Sequence, residues 1–224
     1  MDKTRIRDAA TIIVLRDVAT EPSVLMGQRG AKAAFMPGKF VFPGAAVDPV
    51  DADVPVTLDQ AEHDRLLHES TRAPSALAAA AIRELWEETG HIIGHRADWP
   101  DAPKGWRGFA ASGHQPNGTA LRFFFRAITP PGRPRRFDAR FFLADATALT
   151  TDLDDFSNAE DELAHLQWVP LRDAQQFDLP YITQVVLAEL GTQITSGARP
   201  ASIPFFRSND EDQHLQRLDG GMLH

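Results

Sequence analysis

The stretch Arg83-Glu84-Leu85-Trp86-Glu87-Glu88-Thr89-Gly90 decides the fold. It closes a run, residues 75–89, that holds Ala76, Leu77, four consecutive alanines from Ala78 to Ala81, Ile82 and Leu85 without Gly or Pro, and this predicts a helix. Ser75 after Pro74 is the expected N-cap, and Gly90 stands where a helix takes its left-handed C-terminal residue. On that helix Glu84, Glu87 and Glu88 occupy i, i+3 and i+4, so three carboxylates share one face. The opposite stripe, Ala78, Ile82, Leu85 and Thr89, is placed to pack on a sheet. Like charges about 5–6 Å apart repel and raise one another's pKa. A hard divalent cation removes that conflict: Mg²⁺ or Mn²⁺ accepts carboxylate oxygens, keeps open water positions and draws in phosphate oxygens. Arg83 is placed to hold one carboxylate by a bidentate pair. Three glutamates alone read first as a solvated acidic face. The surroundings decide between the two.

Working outward, residues 10–15, 24–28 and 39–42 read as strands, the last leading into Pro43-Gly44, with a glycine-containing loop at 30–38. From 48 to 74 the composition shifts to Asp and Pro and reads as an insertion, with a short helix inside it at 58–69. Beyond Gly90, residues 92–93 restart a strand and 99–118 read as loops around a short element. Residues 121–128 and 136–143 form two strands, with Phe123, Phe124 and Phe125 suited to burial on both faces. Residues 163–171 give a late strand, 181–190 a terminal helix and 197–224 a polar tail. The expected organisation is one domain, 1–196, with an insertion at 46–74, followed by that tail.

Composition narrows the chemistry. The chain has 224 residues, 23 Lys+Arg against 31 Asp+Glu, a net charge of −8 and no cysteine. Disulfides, thiolate metal sites and a Cys nucleophile are excluded. The acidic balance argues against a nucleic-acid-coating protein. No stretch has the roughly 20 apolar residues of a membrane span, and the N-terminus lacks signal-peptide organisation, so the expectation is a soluble, cytoplasmic protein without a membrane partner. His91 and His95 are separated by helix-breaking glycines and do not read as a zinc pair.

With these residues in place, the sequence resembles the Nudix hydrolases, whose box reads Gly-x5-Glu-x7-Arg-Glu-U-x-Glu-Glu-x-Gly-U, U being bulky and apolar. Arg83 to Gly90 matches its second half, Phe42-Pro43-Gly44 its entry, and Trp168-Val169-Pro170 a late family strand. Arg29 resembles the family's strand-ending arginine. The box glycine falls on Ala45, His91 replaces the last apolar position, and about two dozen extra residues split the box, leaving its first glutamate without a clear counterpart. A split box is similar to the branch that includes peroxisomal coenzyme A diphosphatases. Arg136-Phe137-Asp138-Ala139-Arg140-Phe141-Phe142 resembles a strand of that branch, whereas Ala34 stands where its coenzyme A signature has arginine.

The resemblance implies an α/β fold, a Nudix-type α/β/α sandwich with a mixed β-sheet between helices. It implies Mg²⁺ or Mn²⁺ on Glu84, Glu87 and Glu88, with Arg83 supporting them, and hydrolysis of a nucleoside diphosphate linked to a group X. The narrower expectation for X is coenzyme A or acyl-coenzyme A, with dinucleotides and nucleotide sugars as alternatives. A general base comes either from the box or from the 160–162 cluster, where Glu162 is the choice over a plain acidic turn. Arg29, Arg135, Arg136 and Tyr181 are the candidates for substrate contact, the arginines on phosphate and Tyr181 on a base. A nucleotide sensor without turnover is the competing class, and the intact glutamate triad argues against it. Homodimers are common in the family and are allowed here.

Overall fold

The computed structural model describes residues 5–33, 35–208 and 213–218, so Ala34 lies outside the described residues. Its spine is strand β1 (Ile6–Arg16), whose alternation sends Ile12 and Val14 to one core and Ile13 and Leu15 to the other. Strands β2 (Ser23–Arg29), β3 (Phe40–Val41) and β4 (Gly44–Ala46) follow. A 3₁₀ turn at Pro49–Asp53 and helix α1 (Gln60–Leu67) then lead to helix α2 (Pro74–Thr89). Strand β5 (Gly94–Arg96), the short helix α3 (Arg107–Ala111) and strand β6 (His114–Pro116) make a separate two-stranded unit. Strands β7 (Arg122–Ile128), β8 (Arg136–Asp145) and β9 (Leu163–Pro170) precede helix α4 (Tyr181–Ser196). Strands β10 (Pro204–Ser208) and β11 (Gln213–Arg217) end the described chain.

The main sheet is mixed. Its order is β11-β10-β7-β8-β1-β2-β3, with β1–β8 and β7–β10 parallel, and β4 and β9 attached to β1 and β2. One edge of β1 is shared: Ala9–Thr11 pair with β4, whereas Leu15 and Arg16 pair with β2. The sheet therefore splays open beside the segment that leads to α2. Helix α2 packs on the face of Ile12, Val14, Phe123 and Phe142, and α4 on the face of Ile13, Phe125 and Phe141. This is the expected α/β/α arrangement. The three phenylalanines divide between the faces through a register shift between Phe123 and Phe125, which lets Phe124 and Phe125 enter the same core.

Three expectations change. Pro74 starts α2 and Ala73 is its N-cap, so Ser75 is already helical; Pro needs no amide partner at that position. The helix is not amphipathic in practice: Ala76 through Leu85 are all buried, because the 46–74 segment covers the side away from the sheet. The stretch expected to be a polar tail from 197 contains Ile203, Phe205 and Phe206, all buried, and its strand β10 extends the sheet at β7. An exposed β7 edge with apolar neighbours is a poor end for a sheet, and the β10–β11 hairpin covers it. Among the described residues no helix is long and apolar enough to cross a membrane.

Candidate active site

The site is assembled at the C-terminal half of α2, where the splayed sheet brings β4 against it. Gly44 donates its amide to Glu88 Oε2 at 2.8 Å. Gly44 has φ +151°, and a Cβ there would stand 2.5 Å from the Ala10 carbonyl oxygen and 2.6 Å from Thr11 Cα. Only a glycine lets the strand come so close while aiming its N–H at the helix. The other Glu88 oxygen, Oε1, is buried without a partner among the described residues. Burial, with help from Glu84 and Glu162, pushes the Glu88 carboxyl well above the ordinary range, against the opposing Gly44 hydrogen bond.

Arg83 ties the other two glutamates together. Its Nη1 donates to Glu84 Oε1 at 2.7 Å and to Glu87 Oε2 at 2.9 Å. Its Nε and Nη2 make a bidentate pair with Asp51, both at 2.9 Å. Burial pulls the Arg83 guanidinium down, but the Asp51 hydrogen bonds and the charges of Glu84, Asp51 and Glu87 outweigh it and leave it raised. Asp51 is itself buried and also accepts from Trp106 Nε1 and from the Asp48 amide. Burial lifts Glu84 to about 7 despite Arg83, with Glu87 and Glu162 adding to the rise. Burial likewise raises the half-buried Glu87, with smaller contributions from Glu160 and Asp51.

Asp51 is the residue that sequence reasoning missed. It is the sixth residue after Ala45, which is where the box pattern puts its first glutamate. The carboxylate is one methylene shorter, and counting from Ala45 instead of back from Arg83 finds it. The interruption therefore begins after Asp51, and the box keeps all its acidic positions.

The 154–162 loop closes over the end of α2 through the Glu160 amide, which donates to the Glu87 carbonyl at 2.7 Å. This brings Glu162 close enough for its charge to raise both Glu84 and Glu88. Arg29, at the end of β2, donates to Glu162 Oε1 at 2.9 Å. Its observed partner is thus a carboxylate of the site itself.

The remaining candidates lie elsewhere. Arg136 Nε donates to the Thr129 carbonyl of its own hairpin at 3.1 Å, and Arg135 is exposed on that hairpin. Their neighbour Arg140 is buried, bonded to Asp8 at 2.7 Å and to Ser70, so part of the basic run serves the fold. Tyr181 is exposed and packs edge-on against Phe206, on the α4 side of the sheet, opposite α2. The structure does not bring it to the glutamates.

Among the described residues no three acidic or histidine groups already stand at coordinating distance. The donor chemistry nevertheless fits a hard cation: all-oxygen ligands, an orphaned buried oxygen on Glu88, and carboxyls that burial and mutual repulsion hold above their ordinary range. Glu84, Glu87 and Glu88 are the residues that could hold it.

Comparison with known proteins agrees with this geometry. The NUDIX domain family model matches residues 5–190. A Caenorhabditis elegans protein named as nudix hydrolase 7 is 27% identical over an alignment of 186 residues, covering 73% of this chain and 51% of that protein. The chain thus spans about half the length of that curated relative. The crystal structure of a NUDIX hydrolase from Alicyclobacillus acidocaldarius is similar at 30% identity and TM-score 0.64, over 86% of this chain and 96% of that one. The NUDIX domain of Shewanella oneidensis NrtR, co-crystallised with ADP ribose, shares the fold at 12% identity and TM-score 0.50, over 85% and 90%. With its sheet, its box helix and the matched span all coinciding, the chain belongs to the Nudix family.

Proposed function

We propose that this protein hydrolyses the diphosphate bond of a nucleoside diphosphate linked to a further group X, using Mg²⁺ or Mn²⁺ on Glu84, Glu87 and Glu88. The observation that carries the reading is the buried carboxylate group on α2, held by Gly44 and by the Asp51–Arg83 pair, with one Glu88 oxygen buried and unpartnered among the described residues. The ion supplies positive charge to the phosphate oxygens and favours ionisation of the attacking water. Arg83 fixes the spacing of Glu84 and Glu87. Arg29 orients Glu162, which accepts the proton as water oxygen bonds to phosphorus and the P–O anhydride bond breaks. Two phosphate monoesters leave.

For X, coenzyme A or acyl-coenzyme A is our narrower proposal, supported by the resemblance of the split box; dinucleotides and nucleotide sugars compete with it. The strand resemblance at 136–142 adds little, because Asp138 and Arg140 are engaged in buried ion pairs. A panel of coenzyme A, NADH, ADP-ribose and diadenosine polyphosphates tests both levels. The expected result is metal-dependent release of phosphate monoesters from one class, with Glu87→Gln about 100-fold slower or worse. No release from any member by either protein would leave the sensor reading, with ligand-induced stabilisation as its measurement.

A further inference from the structure

Three arginines from separate parts of the chain meet around a shallow cleft that is open to solvent. Arg65 comes from α1, Arg122 opens β7, and Arg199 lies on the link between α4 and β10. Among the described residues no acidic side chain lines the cleft. Glu62, just behind it, has both oxygens committed: Oε1 to Arg199 and Oε2 to the Phe123 amide at 2.9 Å. It neutralises one guanidinium and leaves two without an acidic partner among the described residues. Arg65 Nη1 is buried with no hydrogen-bond partner among the described residues. Partial burial and the positive charges of Arg199 and Arg65, opposed by Glu62, hold Arg122 below its ordinary range.

Like charges gathered in a chain of net −8 are costly unless something anionic joins them. Guanidinium forks match tetrahedral oxyanions, and a donor left unpaired in a cleft fits such a ligand. We propose that this cleft binds a phosphate-sized oxyanion, either free phosphate or the terminal phosphoryl group of a larger molecule, and so joins α1 to β7 and the α4–β10 link. It shares no residue with the carboxylates of α2, so its occupancy is independent of the hydrolytic site.

The test uses the full chain in EDTA, at constant ionic strength, with chloride exchanged for phosphate or ADP. Thermal unfolding and calorimetric titration are read for wild type, Arg122→Gln, Arg65→Gln and Glu88→Gln. In 10 mM phosphate the wild type and Glu88→Gln are expected to gain about 2–4 °C in Tm. Arg122→Gln and Arg65→Gln are expected to bind about tenfold more weakly. Folding of the two arginine variants is checked by their Tm in chloride, and Arg122→Gln keeps the basal activity. An ADP effect lost in Arg122→Gln assigns the terminal phosphoryl group; phosphate acting without ADP assigns the free ion. No shift in wild type, or the same shift in both arginine variants, overturns the proposal and leaves a non-specific salt effect.

Discussion

Glu88 shows the conflict built into the site at the scale of one residue. One oxygen is held by the Gly44 amide, the other is buried without a partner among the described residues, and burial resists its ionisation. Replacing it with Gln keeps the shape and removes the charge. Glu88→Gln is expected to raise Tm by a few degrees in chelator while lowering kcat at least 100-fold; a less stable variant would contradict the account. The Arg83–Asp51 pair behaves differently, because each partner alone is a buried charge. Arg83→Met or Asp51→Leu should each cost about 3–5 kcal/mol, and the double variant less than either, with activity lost in all three. Denaturant unfolding of the four proteins measures this. His91 supplies a pH dependence of known sign. It is buried against Phe156 and bonded to Thr151, and burial lowers its pKa from 6.5 although Asp155, Asp152 and Asp154 oppose this. The unfolded chain therefore takes up the proton first, and this residue's contribution to stability falls as pH drops through about 6.5. Glu84, raised to about 7, titrates in the same window with the opposite sign, so the readout is a difference. Between pH 7.5 and 5.5, His91→Leu should lose less stability, or gain more, than wild type.

At the scale of elements, α2 is positioned from three sides: by the sheet under its alanines, by β4 at Glu88, and by the 3₁₀ turn that carries Asp51. Gly44→Ala is the most direct probe of the second contact. Its Cβ would strike the Ala10 backbone, which cannot move without breaking the β1–β4 pairing. A loss of about 2 kcal/mol or more is expected, with a drop in kcat because the donor to Glu88 is displaced. The helix, its Gly90 terminus and most strands are legible in the sequence, since alanine runs and alternating β-branched residues dictate local geometry. The role of the 46–74 segment is not. Its Asp51 and α1 act through partners distant in sequence, and Asp–Pro composition alone reads as loop.

Over the whole molecule, insertion and C-terminal hairpin are fastened to one another and to the sheet. Glu62 links Arg199 and β7, while Arg126 donates to the carbonyls of His68 and Glu69 and pairs with Asp138 at 2.7 Å. Removing residues 198–224 would take away Ile203, Phe205, Phe206 and Leu218 from the core and bare the β7 edge. Such a truncation is expected to unfold or aggregate at 37 °C, which circular dichroism and light scattering will show. By itself the sequence determined the sheet-forming segments, the box helix and the three glutamates at helical spacing, because these follow from short-range periodicity. Only the tertiary structure decided that Asp51 holds Arg83, that Arg29 holds Glu162, that Tyr181 packs against Phe206, and that Arg136 bonds within its own hairpin. Those pairings depend on which distant segments the folded sheet brings together, and a charge in a sequence does not reveal its partner.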